Sequence, residues 1–115
     1  MPVNNLFAYG TLMCDDIMRT VAGCLPLSVS GTLRGYQCVK VRNATYPAIV
    51  GNETGVVHGI LYQAIPAAAW EMLDRFEGDM YKRTPVTIET DGDGSRMAFV
   101  YICKPAFLKN LDWSG

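Results

Sequence analysis

Glu77 is the side chain best placed by type and spacing to move a proton. On a helix opening near Pro66 it falls seven residues after Trp70 and four after Leu73, on the face that those two share. A carboxylate aimed into apolar surroundings is desolvated, which raises its pKa toward neutrality, where it can accept and return protons. The same spacing admits a second arrangement, in which the helix stops at Phe76 and Glu77 is a solvated residue at its C-terminus. Asp74 and Asp79 are expected to be exposed. A second candidate is the loop Tyr9-Gly10-Thr11-Leu12, where consecutive backbone N–H groups beside a helix start can cradle a carboxylate or a developing oxyanion. Judged alone, that tetrapeptide reads better as a glycine turn with Thr11 bonded locally, and its position in the fold must decide.

Other reactive residues form weaker patterns. The single histidine, His58, lies in a strand-like run, and the four cysteines, Cys14, Cys24, Cys38 and Cys103, contain no CxxC pair. A zinc site would need long-range convergence of ligands, and a Cys–His nucleophile has no local signature to support it. The thiols are therefore read as reduced and structural. Asp91 and Asp93 resemble the start of a calcium loop, but Arg96 stands where such a loop needs glycine and Ile102 where it needs glutamate. A hairpin fits the segment better. Tyr9, Tyr81 and Tyr101 can each serve a polar pocket or simple packing. The sequons Asn43-Ala44-Thr45 and Asn52-Glu53-Thr54 would matter only in a secreted chain.

Composition narrows the classes of function. A chain of 115 residues corresponds to one domain with its own core, and half of the residues are apolar. Ten Lys and Arg against eleven Asp and Glu leave a net charge of −1, which supplies no basic field for a nucleic-acid backbone. No apolar run approaches the ~20 residues needed to span a bilayer, and Met1 to Asn5 lack the basic and apolar regions of a signal peptide. The expectation is a cytoplasmic protein with a small-molecule partner, no nucleic acid and no membrane, with the oligomeric state left open.

The elements that must position these residues follow from pattern and punctuation. Asn4 to Tyr9 reads as a strand broken at Gly10. Asp15 to Ala22 reads as a helix with Ile17, Met18, Val21 and Ala22 at helical spacing, stopped by Gly23 and Pro26. Leu27 to Leu33, Tyr36 to Val41 and Tyr46 to Val50 read as successive short strands. Gly51-Asn52-Glu53-Thr54-Gly55 reads as a turn into a strand from Val56 to Gln63. A helix with Pro66 in its first turn then runs to Phe76 and ends at Gly78. Lys82 to Glu89 and Arg96 to Lys104 flank Asp91-Gly92-Asp93-Gly94 as a hairpin. The predicted class is α+β, a curved, mostly antiparallel sheet or partial barrel with two or three short helices.

Four segments in order, FAYGTLM at Phe7 to Met13, YPAIV at Tyr46 to Val50, GILY at Gly59 to Tyr62 and LDRFEGDMYKR at Leu73 to Arg83, resemble the γ-glutamylcyclotransferase-like superfamily. The likeness lies toward its AIG2-like branch, beside the γ-glutamylamine cyclotransferases, and covers nearly the whole chain. The resemblance implies a small mixed, mostly antiparallel barrel-like sheet with a pocket where the YGTL loop faces the acidic segment. It implies that Glu77 is the catalytic glutamate, that Tyr9, Gly10, Thr11 and Leu12 hold a γ-glutamyl moiety, and that Tyr81 is the motif tyrosine. Tyr101 corresponds more loosely to another pocket tyrosine. The implied reaction needs no cofactor: the α-amine of a γ-glutamyl amide or amine attacks its own γ-carbonyl and releases 5-oxoproline. The alternative is a protein of the same fold that binds a small metabolite or a partner without turnover.

Overall fold

The computed structural model describes residues 4–44, 46–91 and 94–112. Among the described residues six strands are present: β1 Leu6–Ala8, β2 Ser28–Val41, β3 Pro47–Tyr62, β4 Tyr81–Thr90, β5 Gly94–Cys103 and β6 Leu111–Asp112. Two α-helices, α1 Asp15–Ala22 and α2 Ala69–Glu77, are joined by 3-10 segments at Thr11–Met13 and Pro105–Asn110. The strands run in the order β3-β1-β5-β4-β2-β6, and an additional β2–β3 pairing closes five of them into a ring with β6 appended to β2. β1 and β5 are parallel, with Leu6 opposite Phe99, and the other pairs are antiparallel. The α+β, mixed and mostly antiparallel barrel expected from the sequence is the architecture observed.

Period-2 alternation sorts the apolar side chains into two cores. Phe7 of β1, Leu33 of β2, Leu61 of β3, Ile88 of β4 and Val100 of β5 meet inside the ring. Their neighbours in sequence, including Leu6, Ala8, Tyr62 and Tyr101, point outward and are covered by Met18 and Ala22 of α1 and by Leu73 of α2. Every residue of β1 is buried because both of its faces are used.

Two pairs of expected strands are in fact single long ones. Apart from their end residues Leu27, Tyr46 and Gln63, Leu27–Leu33 and Tyr36–Val41 both fall in β2, and Tyr46–Val50 and Val56–Gln63 in β3, the two paired from Ser28 opposite Tyr62 to Lys40 opposite Pro47. What the sequence marks as breaks is a bulge. The register shifts between Arg34 and Tyr36, Gly35 takes a φ of +89°, and the extra length lies in β3, where Asn52 Oδ1 accepts from the Thr54 N–H at 3.1 Å. Gly51 to Gly55 is therefore a turn held inside a strand and not one that ends it. The shift exchanges the faces of β2, so Leu33 faces the interior while Val39 and Val41 face the helices.

Helix α1 has the bounds expected, with Asp15 and Asp16 in its first turn. Helix α2 begins at Ala69 and not at Pro66, because Pro66 and Ala67 form a turn whose carbonyls accept from the N–H groups of Ala69 and Trp70. Its last residue is Glu77. Gly78, at φ +83°, donates its N–H to the Asp74 carbonyl at 3.0 Å and ends the helix in a conformation that favours glycine. The β4–β5 hairpin pairs Thr90 with Gly94, while Gly92 and Asp93 of the expected turn lie outside the described residues. Met1 to Val3 of the segment tested for a signal peptide, and Thr45 of the first sequon, also lie outside them. Among the described residues no helix is long and apolar enough to cross a membrane.

Candidate functional site

The loop between β1 and α1 forms one wall of a cavity. Gly10 leaves the strand at φ −132° and ψ −132°, after which Thr11–Met13 closes into a 3-10 turn, with the Met13 N–H donating to Gly10 O at 2.9 Å. The first N–H groups of such a turn have no partner within it, and no side chain caps this one. The turn is tied to the barrel from beneath, because the hydroxyl of fully buried Tyr62 donates to Leu12 O at 2.8 Å.

Opposite this loop, the C-terminal end of α2 carries Glu77. Of the two arrangements that the spacing allows, the structure has the one in which the helix includes Glu77 and turns it inward behind Leu73. The carboxyl is partly buried, and among the described residues it accepts no hydrogen bond and forms no ion pair. Burial pushes its pKa up to about 7.

Between the two walls lies a cavity of about 340 Å³. Tyr9, Gly10, Thr11, Leu12, Glu77, Tyr81 and Tyr101, the residues that the family resemblance assigns to a site, line it together. Tyr46, Pro47 and Phe76 join them. Sequence reasoning named these three only as parts of motifs or as bounds of elements, although Phe76 beside Glu77 and Tyr46-Pro47 at the start of an apolar strand were the available signals. Tyr46 and Phe76 are exposed at 43% and 44% and so form the rim. None of the lining residues is Lys, Arg, His or Cys. His58 is exposed on β3, where its Nδ1 pairs with Thr32 Oγ1 at 3.3 Å, away from this site.

Three of the four tyrosines that line the cavity are already engaged. Tyr9 donates to Tyr101 O at 2.6 Å, Tyr81 to Pro47 O at 3.0 Å and Tyr101 to Asp74 Oδ1 at 2.7 Å. Desolvation raises the pKa of all three, so each stays protonated at neutral pH. A phenol whose proton is committed offers only lone pairs to a ligand. The cavity thus sets acceptors, the tyrosine oxygens and Glu77, against donors, the N–H groups of the loop. Such a site suits a ligand with an ammonium at one point and a carboxylate or polarised carbonyl at another.

A closed mixed barrel with a lone acid facing a YGTL turn defines a class, and comparison with known proteins gives it a family. Residues 6–114 match the model of the γ-glutamyl cyclotransferase, AIG2-like family, and the chain belongs to that family. AIG2-like protein A of Arabidopsis thaliana is 33% identical over 98 residues, which cover 85% of this chain and 59% of that protein. A solution structure of an Arabidopsis thaliana protein superposes with a TM-score of 0.80 at 28% identity, covering 99% of this chain and 78% of the other. A structure of a γ-glutamyl cyclotransferase shares the fold, with a TM-score of 0.78 at 15% identity over 94% of this chain and 68% of that one. The chain spans 51% to 59% of the length of the curated Arabidopsis relatives that it matches.

Proposed function

We propose that the protein is a γ-glutamylcyclotransferase that converts a γ-glutamyl amide or amine into 5-oxoproline and a free amine, with Glu77 as general acid and base. The observation that carries this reading is the Glu77 carboxyl, unpartnered and poised near neutrality, facing the Tyr9–Leu12 loop across a cavity of about 340 Å³. Family membership supports the same reading.

Ionised Glu77 takes a proton from the substrate's α-ammonium, and the freed amine attacks the γ-carbonyl carbon of the same molecule. The carbonyl electrons move to oxygen, where the N–H groups of Thr11 and Leu12 meet the developing charge or hold the α-carboxylate. Collapse of this intermediate breaks the bond to the leaving nitrogen as Glu77 returns the proton to it, and the second proton, shed by the ring nitrogen as it becomes the lactam N–H, is taken up by the departing amine, which leaves as its ammonium. Atoms and charge balance without a cofactor. Because the nucleophile is tethered, orientation supplies much of the rate, and effective molarities of ~10⁵–10⁸ M are reached by such ring closures. Tyr9, Tyr81 and Tyr101 line the folded substrate and offer acceptors to its ammonium before transfer.

Incubation with a panel of γ-glutamyl amino acids and γ-glutamyl amines, read as 5-oxoproline released, tests the reading. Glu77→Gln is expected to retain the fold and lower turnover roughly 10³-fold, in the range of a lost general acid–base. The wild-type kcat/KM should fall as pH drops through about 7, because protonated Glu77 cannot accept the ammonium proton. Wild-type turnover in the Gln variant would remove Glu77 from the mechanism. A thermal shift with 5-oxoproline but no product from any substrate would favour the non-catalytic, metabolite-binding reading.

A further inference from the structure

Asp74 is on the outer side of α2, three residues before Glu77, and its side chain is 45% exposed. Its Oδ1 accepts the Tyr101 hydroxyl at 2.7 Å and lies 3.6 Å from the Arg83 guanidinium. That guanidinium in turn sits over the Trp70 and Phe99 rings, 4.8 and 5.0 Å from their centroids. The backbone of Asp74 is engaged too, since its carbonyl accepts the Gly78 N–H that ends the helix. Glu77 is thus part of a helical turn pinned at Asp74 through both side chain and main chain. On its other side Tyr101 accepts, at its own carbonyl, the hydroxyl of Tyr9 from the opposite wall. The chain Arg83–Asp74–Tyr101–Tyr9 therefore runs from the outer surface across the back of the cavity and joins the helix bearing Glu77 to the loop that faces it.

We propose that Asp74 is a positioning residue which, through the Tyr101 hydroxyl, holds the last turn of α2 against the barrel and so fixes Glu77 in the cavity opposite the Tyr9–Leu12 loop. This rests on the proposed role of Glu77 for its effect on turnover, but not for its effect on the carboxyl itself. The titratable groups that line the cavity with Glu77 are Tyr9 after β1, Tyr46 before β3, Tyr81 on β4 and Tyr101 on β5. All four are phenols and none is a cationic or carboxylate side chain, so the principal influence on Glu77 is its exclusion from water. If the clamp is released, water reaches the carboxyl and its titration moves down toward that of an ordinary glutamate.

The experiment is a ¹³C NMR pH titration of the Glu77 carboxyl in the whole chain, with circular dichroism to establish that each variant is folded. Asp74→Ala and Tyr101→Phe are each expected to lower the Glu77 midpoint by about one pH unit or more. The double variant should lower it no further, because the two act as one link. Asp74→Asn keeps an oxygen that accepts the Tyr101 proton and should leave the midpoint near that of the wild type. Where turnover is measurable, Asp74→Ala should lower kcat about 10-fold or more and move the acid limb of kcat/KM to lower pH with the NMR midpoint. An unchanged midpoint in folded Asp74→Ala and Tyr101→Phe, or an Asn variant indistinguishable from Ala, overturns the proposal. A moved midpoint in a protein inactive toward every substrate would uphold the clamp while overturning the cyclotransferase reading.

Discussion

The inside of the barrel and the layer between barrel and helices are built from the same strands, yet they differ in chemistry. The interior, represented by Phe7, Leu61, Ile88 and Val100, is formed from hydrocarbon side chains supplied by all five ring strands. The outer layer adds Tyr62, Tyr81 and Tyr101 to its aliphatic residues, and the hydroxyl of each is given to Leu12 O, Pro47 O or Asp74. Packing alone holds the first region, whereas the second combines packing with directed bonds to the segments that wall the cavity. A hydrocarbon core tolerates small shifts, but a hydroxyl–carbonyl bond fixes a loop to within a few tenths of an ångström. Stability is concentrated in one region and geometry in the other.

Substitutions can separate the two. Leu61→Ala in the interior should cost about 2–5 kcal/mol by leaving a cavity, measurable by chemical denaturation, while folded molecules keep their turnover. Glu77→Gln should show the reverse behaviour. The folded-state pKa of about 7 lies above the ordinary 4.5, so the stability that Glu77 contributes is full below pH 4.5 and is lost as pH rises through 7. The Gln variant lacks that loss and should gain on the wild type, by on the order of 3 kcal/mol at pH 8 and by little at pH 4.5. Melting curves at the two pH values check the sign. Tyr62→Phe, which leaves the buried Leu12 carbonyl without its donor, should cost about 1–3 kcal/mol and raise KM more than it lowers kcat. An equal loss of stability and no change in KM would show that Tyr62 belongs with the interior and not with the site.

Local signals in the sequence were reliable where one short element decided the outcome. Helix α1 has the bounds that its acidic first turn and Gly23 mark, and the inward face of α2 could be read from Trp70 and Leu73, while the spacing left Glu77 open between that face and a solvated C-terminus. The same signals misled where two strands support one another. Gly35 and Gly51 to Gly55 look like ends of strands, but β2 and β3 pair on both sides of them and turn the break into a bulge. Local composition cannot register a partner that lies elsewhere in the chain. The start of α2 was missed for a different reason: Pro66 fits a first helical turn as well as it fits the turn that precedes one.

From the order of its residues alone, the chain determined an alternating and helical pattern that yields a mixed α+β domain, a helix whose spacing admits an acid on its apolar face and a glycine turn after the first strand. Tertiary structure decided that the turn and the acid meet. The pairing of β1 with β5, and of β5 with β4, brings residues nearly seventy positions apart to one cavity, and the raised pKa of Glu77 arises only there, because exclusion of water is a property of the assembled walls and not of any segment. The partners of the tyrosine hydroxyls were decided in the same way, since a phenol in a strand predicts burial, while its hydrogen-bond acceptor depends on which chain segment folds against it.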